Sequence, residues 1–185
     1  MAAVLVDQGW TADRVTMTGF VLGLLALPAI ALEAYLAGLA LILLNRLFDG
    51  LDGAVARRTS RTDRGGFLDI TFDFIFYASI PFAFALADPF DNALAAVFLV
   101  FSFIGTASSF LAYAIIAAKR GITTEIRGQK AFYYLGGLTE GTETIALFVA
   151  ICLFPAWFPI LAVIFGVCCW VTTATRIYAG WGSLK

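Results

Sequence analysis

Six long apolar runs dominate this sequence and decide what it can fold into. They cover about residues 15–32, 34–56, 66–87, 93–118, 131–154 and 156–179. About 20 predominantly apolar residues suffice for a helix to cross the hydrocarbon core of a bilayer. Glu33, the segment Asp88-Pro89-Phe90-Asp91, and Pro155 form the short turns on one side. Composition closes off the alternatives. Of 185 residues, 61% are hydrophobic and 14% charged, against about 45–50% apolar and about 25% charged in an average soluble domain. A soluble fold of this size has too much surface for its volume to bury so many apolar side chains. The same balance excludes a disordered chain. The expected architecture is all-α: a polytopic membrane protein with six transmembrane helices, one domain over residues 1–185. A short N-terminal interfacial helix is expected over residues 7–13, with Trp10 at headgroup level. A cleavable signal peptide is not expected, because the first run follows Asp7, Gln8 and Asp13 rather than a basic segment.

Charge is segregated as sharply as hydropathy. Arg57, Arg58, Arg61 and Arg64 lie between spans two and three, and Lys119, Arg120, Arg127 and Lys130 between spans four and five. Arg14 precedes span one, while Arg176 and Lys185 close span six. The opposite turns carry no Lys or Arg. The positive-inside rule then predicts a multi-pass cell (inner) membrane protein with both termini and the basic face in the cytoplasm. Arg46, inside span two, is expected to snorkel to that interface. There is no His, which excludes His-based catalysis and His metal ligation. Cys152, Cys168 and Cys169 all lie inside apolar runs and read as small core residues. Adjacent Cys168 and Cys169 face different sides of a helix, which argues against a disulfide framework.

Carboxylates inside a membrane are costly and mark function. Here they cluster. Asp49 and Asp52, three apart near the end of span two, share one helix face. Asn45, Gly53 and Ala56 lie on or beside that face. Asp69 and Asp73, four apart, share a face at the start of span three. A short basic loop makes the two spans antiparallel neighbours, so the four carboxylates converge at one depth. Hard divalent cations relieve the mutual repulsion of such a group, and oxygen ligands suit Mg²⁺ engaged in phosphate chemistry. The intervening Gly and Ala residues let a ligand lie against the helix backbone. Arg57 offers a fixed positive charge for a phosphate.

The run Asp49-x-x-Asp52-Gly53-x-x-Ala56-Arg57, followed after seven residues by Gly65-x-x-x-Asp69-x-x-x-Asp73, resembles the signature of the CDP-alcohol phosphotransferases. The six-span layout is similar as well, so the resemblance covers nearly the whole chain. It implies transfer of a phosphatidyl or similar group from a CDP-linked lipid donor to an alcohol, with release of CMP. It also implies two divalent cations, Mg²⁺ or Mn²⁺. Asp49, Asp52 and Asp69 would hold one, and Asp49, Asp69 and Asp73 the other. Asp73 would also be the general base. Gly53 and Arg57 would contact the CDP group. Asp13-Arg14-Val15-Thr16 resembles the family's N-terminal nucleotide-contacting segment, with Ala12 where a Pro is usual. Ala56, Thr62 and Gly65 complete the expected donor site. The implied partners are a CDP-diacylglycerol-type donor, a hydroxyl acceptor, the bilayer and a second copy in a homodimer, with no nucleic acid.

Glu140 and Glu143, three apart in span five, read as a second intramembrane acidic face, serving an acceptor pocket or supporting the metal site. Inositol-phosphate-type synthases of the family place Glu-Arg-x-Glu-Arg in a similar position; here Gly141 and Thr144 stand where those arginines would be. Lys119, Arg127, Lys130 and Arg176 remain as phosphate ligands, and Arg176 is the leading one. The run Tyr133-Tyr134-Leu135-Gly136-Gly137-Leu138-Thr139-Glu140 is similar to a bacterial inner-membrane branch of the family. The leading acceptor is a phosphorylated polyol such as glycerol 3-phosphate. Competing readings are an uncharged or zwitterionic acceptor (inositol, serine), a CDP-lipid hydrolase and, in a different class, an ion-binding transporter. Against the last, the acids sit at one face rather than at the midplane between broken helices.

Overall fold

The computed structural model describes residues 1–121 and 138–183, and among these every regular element is helical. The helices are α1 (Ala2–Asp7), α2 (Ala12–Ala31), α3 (Tyr35–Arg58), α4 (Asp63–Ala87), α5 (Pro89–Lys119), α6 (Gly141–Leu153) and α7 (Phe158–Ser183), with a 3₁₀ turn over Pro155–Trp157 leading into α7. Helices α2, α4, α5 and the 3₁₀–α7 segment are long and apolar enough to cross a membrane. Helix α3 has the length but carries Arg46, Asp49, Asp52, Arg57 and Arg58 from its midpoint onward. Helix α6 is apolar but shorter.

The outer surface shows which solvent this fold expects. On α5, Phe90, Leu94, Val97 and Phe101 all point outward, and on α7 so do Ile160, Ile164, Val167 and Val171. An apolar row at three- and four-residue spacing on the outside of a bundle is stable against lipid and not against water. The protein is an all-α polytopic membrane protein.

Helix ends differ from the hydropathy boundaries because capping chemistry, not apolarity, sets them. Thr11 caps α2, its hydroxyl accepting from the Arg14 N–H, and Thr62 caps α4 by accepting from the Gly65 N–H. Both helices therefore begin in polar sequence before the apolar run. The segment 88–91, expected as a turn, is almost all helix: Asp88 caps the Phe90 and Asp91 N–H groups and Pro89 occupies the first helical position. The interfacial helix expected over residues 7–13 is displaced to Ala2–Asp7. Gly9, with φ +77°, ends it, and Trp10 stands in the connection.

The register is fixed by small residues. Helices α2 and α3 run antiparallel, with Gly38 against Ile30, Gly23 against Asn45 and Gly19 against Phe48. Any side chain at Gly23 would come within 2.7 Å of Asn45 and 2.8 Å of Phe76. Helix α4 lies along α2, with Phe72 stacked on Phe20 at 4.0 Å. Phe84 on Phe158 and Phe76 against Phe148 carry the core across to α7 and α6. Helices α5 and α7 form a close parallel pair, Gly166 receiving Phe98 and Ser102, and Gly105 receiving Thr173 and Trp170.

Candidate functional site

The antiparallel register of α3 against α2, and the closeness of α4 to both, bring the acids together. One carboxylate oxygen each from Asp49, Asp52 and Asp69 lies within 4.8 Å of the others. Asp52 is buried, Asp49 half-buried and Asp69 exposed. The Thr16 hydroxyl donates to Asp52 Oδ2 at 2.6 Å, so α2 orients that carboxylate. All-oxygen donors this close fit a hard divalent cation, whose ligand distances are about 2.0–2.6 Å.

Asp73 is placed differently from its three partners. Its Oδ1 accepts from Arg46 Nη2 at 2.8 Å. Asp49, Asp52, Asp69 and Asp73 all line one small cleft with Thr16, Gly19 and Asn45. Asp73 also lines a much larger cavity of about 610 Å³, bounded by Tyr77, Phe103, Phe110, Glu140 and Arg176 among others. One carboxylate thus stands on the wall between two spaces.

Arg46 does not snorkel. Its side chain is only 17% exposed and points into the cleft. Besides Asp73, its Nη1 lies 3.6 Å from Asp49 Oδ2 and donates to the Tyr77 hydroxyl at 3.3 Å, while Nε donates to Asn45 Oδ1 at 2.8 Å. Arg46 lies at the middle of α3 rather than near its end, and the Phe76 and Tyr77 rings beneath the guanidinium, 4.7 and 5.4 Å away, hold it there. The signal available in sequence was the three-residue spacing from Arg46 to Asp49.

The expected donor residues gather at the starts of α2 and α4 and the end of α3. Asp13 pairs with Arg64, and a side chain at Gly65 would meet Asp13 and Thr62 at 3.3 and 3.2 Å. Arg57 folds back over Gly53, its Nη1 3.4 Å from where a Cβ there would sit. Ala56 is half-buried, and Gly50 and Gly66 face open space. The result is a side-chain-poor groove beside the three clustered carboxylates. Arg64 was read only as one of the loop cations; Asn45, expected on or beside the acidic face, is held by donating to the Gly19 carbonyl at 2.9 Å.

The acidic face expected from Glu140 and Glu143 does not form. Residues 138–140 are not helical, and Glu140 is the extended residue that precedes α6. The Glu143 carboxylate folds back to accept from the Glu140 N–H at 3.0 Å. Glutamate three residues into a helix satisfies an end group in this way. Glu140 itself lines the large cavity with Arg176, whose Nη1 donates to the Thr106 carbonyl at 3.1 Å and whose guanidinium lies over Phe110. Lys130 and Arg127 lie outside the described residues. Cys152 and Cys169 are buried thiols, as core residues would be.

Fold and centre together define an integral membrane protein with a carboxylate cluster suited to metal and phosphate, set at one end of its helices. Residues 10–177 match the family described as CDP-alcohol phosphatidyltransferase, and the chain belongs to that family. It is 61% identical over 182 residues to the inner membrane protein YnjF of Escherichia coli (strain K12), covering 98% of this chain and 88% of that one. It is 37% identical over 83 residues to the archaetidylinositol phosphate synthase of Pyrococcus horikoshii, covering 44% of each. Among solved structures, the phosphatidylinositol phosphate synthase PgsA1 of Mycobacterium tuberculosis is similar in fold. Its complex with manganese and citrate has a TM-score of 0.72 at 24% identity, covering 97% of this chain and 87% of that one. Its complex with CDP-DAG has a TM-score of 0.69 at 23% identity, covering 97% and 91%.

Proposed function

We propose that this protein transfers a phosphatidyl group from a CDP-diacylglycerol-type donor to a hydroxyl acceptor, releasing CMP. The leading acceptor is a phosphorylated polyol such as glycerol 3-phosphate. The observation that carries this reading is the place of Asp73, whose carboxylate lines both the acidic cleft and the large cavity. A base there faces a donor on one side and an acceptor on the other. With Oδ1 accepting from Arg46, Oδ2 is the oxygen that takes the proton of the attacking hydroxyl. Asp49, Asp52 and Asp69 would hold one divalent cation, and Asp49, Asp69 and Asp73 the second, Mg²⁺ or Mn²⁺. When bound, such cations supply neutralisation of the charge that builds on departing CMP. Arg57 and the groove at Gly53 and Gly65 orient the donor's phosphates and nucleoside, with Asp13, Thr16, Ala56 and Thr62 around them. Arg176 grips an anionic group on the acceptor. The relative crystallised with CDP-DAG supports the donor, and the one crystallised with manganese supports the cations.

The segregation of Lys and Arg, together with the relative named as an inner membrane protein, supports an inner-membrane location with both termini and the site cytoplasmic. A homodimer is part of the same reading. The deciding experiment incubates purified protein with labelled CDP-diacylglycerol and, in turn, glycerol 3-phosphate, inositol phosphate, serine, inositol and phosphatidylglycerol. CMP release and product mass are read together. Acceptor-dependent CMP release with a new phospholipid is expected, strongest with a phosphorylated polyol. CMP released equally without any acceptor would establish a hydrolase instead, and a reaction confined to serine or inositol would displace the phosphorylated acceptor.

A further inference from the structure

Arg46 is bound far more tightly than an interface anchor requires. Its guanidinium is braced from α3 through Asn45, from α4 through Asp73 and Tyr77, and by the faces of two rings. Asn45 is itself tied to α2 at the Gly19 carbonyl. Three helices therefore fix one positive charge beside the carboxylates. Three of those carboxylates cluster by themselves. The fourth, Asp73, has Oδ1 engaged by Arg46, and the near oxygen of Asp49 lies 3.6 Å from the same guanidinium.

The two cation positions are consequently unequal. Asp49, Asp52 and Asp69 can receive a cation with Arg46 in place. A second cation drawing on Asp73 must share that carboxylate with a guanidinium or displace it, against like-charge repulsion at short range. We propose that Arg46 is a built-in rival of the second divalent cation, lowering that cation's affinity while holding Asp73 at the boundary between cleft and cavity. This rests on the two-cation reading given above. Its consequence is an order of events: the second cation is retained well only when an anionic phosphate arrives with it to offset the crowded positive charge.

The test is Mn²⁺ binding to purified protein in detergent without substrate, read as free Mn²⁺ by electron paramagnetic resonance. The wild type is expected to bind two ions, the second at least about tenfold more weakly. In Arg46→Gln the second site should tighten by about tenfold or more, the effect of freeing a charge-assisted partner, while the first changes little. Arg46→Lys keeps a charge without the fork and should fall between the two, which guards against a Gln variant that folds poorly. Asp73→Asn should remove the second site. Two sites in the wild type with an unmoved second site in Arg46→Gln would overturn the rivalry and leave the two-cation reading intact. A second site that survives Asp73→Asn would also overturn it, since Arg46 would then be holding a residue that is no ligand. A single site in every variant would overturn both.

Discussion

The half of the bundle built from α2, α3 and α4 and the half built from α5 and α7 solve opposite problems. The first is crowded and polar at its end. Thr16, Asn45 and Arg46 each have a named partner there, and α2 and α3 pack closely enough that glycine is required where Asn45 and Phe76 press on Gly23. The second is close-packed along the pair but opens beside α4 into a cavity of about 610 Å³ with mostly apolar walls. Chemistry that must hold charges at fixed spacing needs the first kind of environment. Admission of an exchangeable partner needs the second. The contrast teaches that one bundle can set rigid charge spacing in one half and open space in the other.

The largest effect should come from breaking the polar half. Asp49→Asn or Asp69→Asn is expected to reduce CMP release by about a thousandfold or more, the rate equivalent of losing several kcal/mol of metal-derived stabilisation, and to weaken Mn²⁺ binding. Near-normal turnover with unaltered Mn²⁺ binding in either variant would remove the metal role. Asp73→Asn should lower turnover by about 10²–10⁴-fold while binding of labelled CDP-diacylglycerol persists. Retained turnover would place the base elsewhere.

Breaking the cavity half should be milder and selective. Arg176→Ala is expected to raise the acceptor KM about tenfold or more, the loss of one charge-assisted contact, with the donor KM little changed. An unaltered acceptor KM would make Arg176 a structural anchor, and would favour an uncharged or zwitterionic acceptor. The smallest effects compare packing. Gly23→Ala forces a methyl group against Asn45 and Phe76 and should cost about 1–3 kcal/mol, with reduced turnover. Gly166→Ala meets the half-buried Phe98 ring at 2.6 Å. The ring edge can swing away, so the cost should be lower and turnover preserved. Thermal unfolding in detergent ranks the two, and the reverse ranking would contradict the contrast between the halves.

Sequence spacing was a good guide where chemistry is local to one helix. The three-residue step from Asp49 to Asp52 and the four-residue step from Asp69 to Asp73 needed only helix geometry to be read. Four of the six expected spans were legible because lipid demands long apolar runs; among the described residues, α3 carries charges in the middle and end of its run and α6 is short. Arg46 was misread because, beyond Asn45 and Asp49 on its own helix, its surroundings come from α4, and no pattern within α3 announces the rings of Phe76 and Tyr77. The Glu140–Glu143 face was misread for a related reason: the chain leaves helical geometry at residues 138–140, and Glu143 then serves as a capping group. Helix ends at Thr11, Thr62 and Asp88 carried their capping residues openly, yet the search for apolar runs passes over them.

The length of α5 sets the depth of the large cavity in the bilayer. Its 31 residues extend about 46 Å at 1.5 Å per residue, well beyond the roughly 30 Å of bilayer hydrocarbon. Tilting alone would need a steeper angle than the 0–40° that spanning helices adopt, so part of α5 must project into the headgroup layer. Thr106 and Phe110, at the Arg176 end of the cavity, lie about 26 and about 32 Å along from Pro89. That end of the cavity therefore lies near the boundary between oil and water. At such a boundary polar groups meet water while apolar side chains stay in the bilayer.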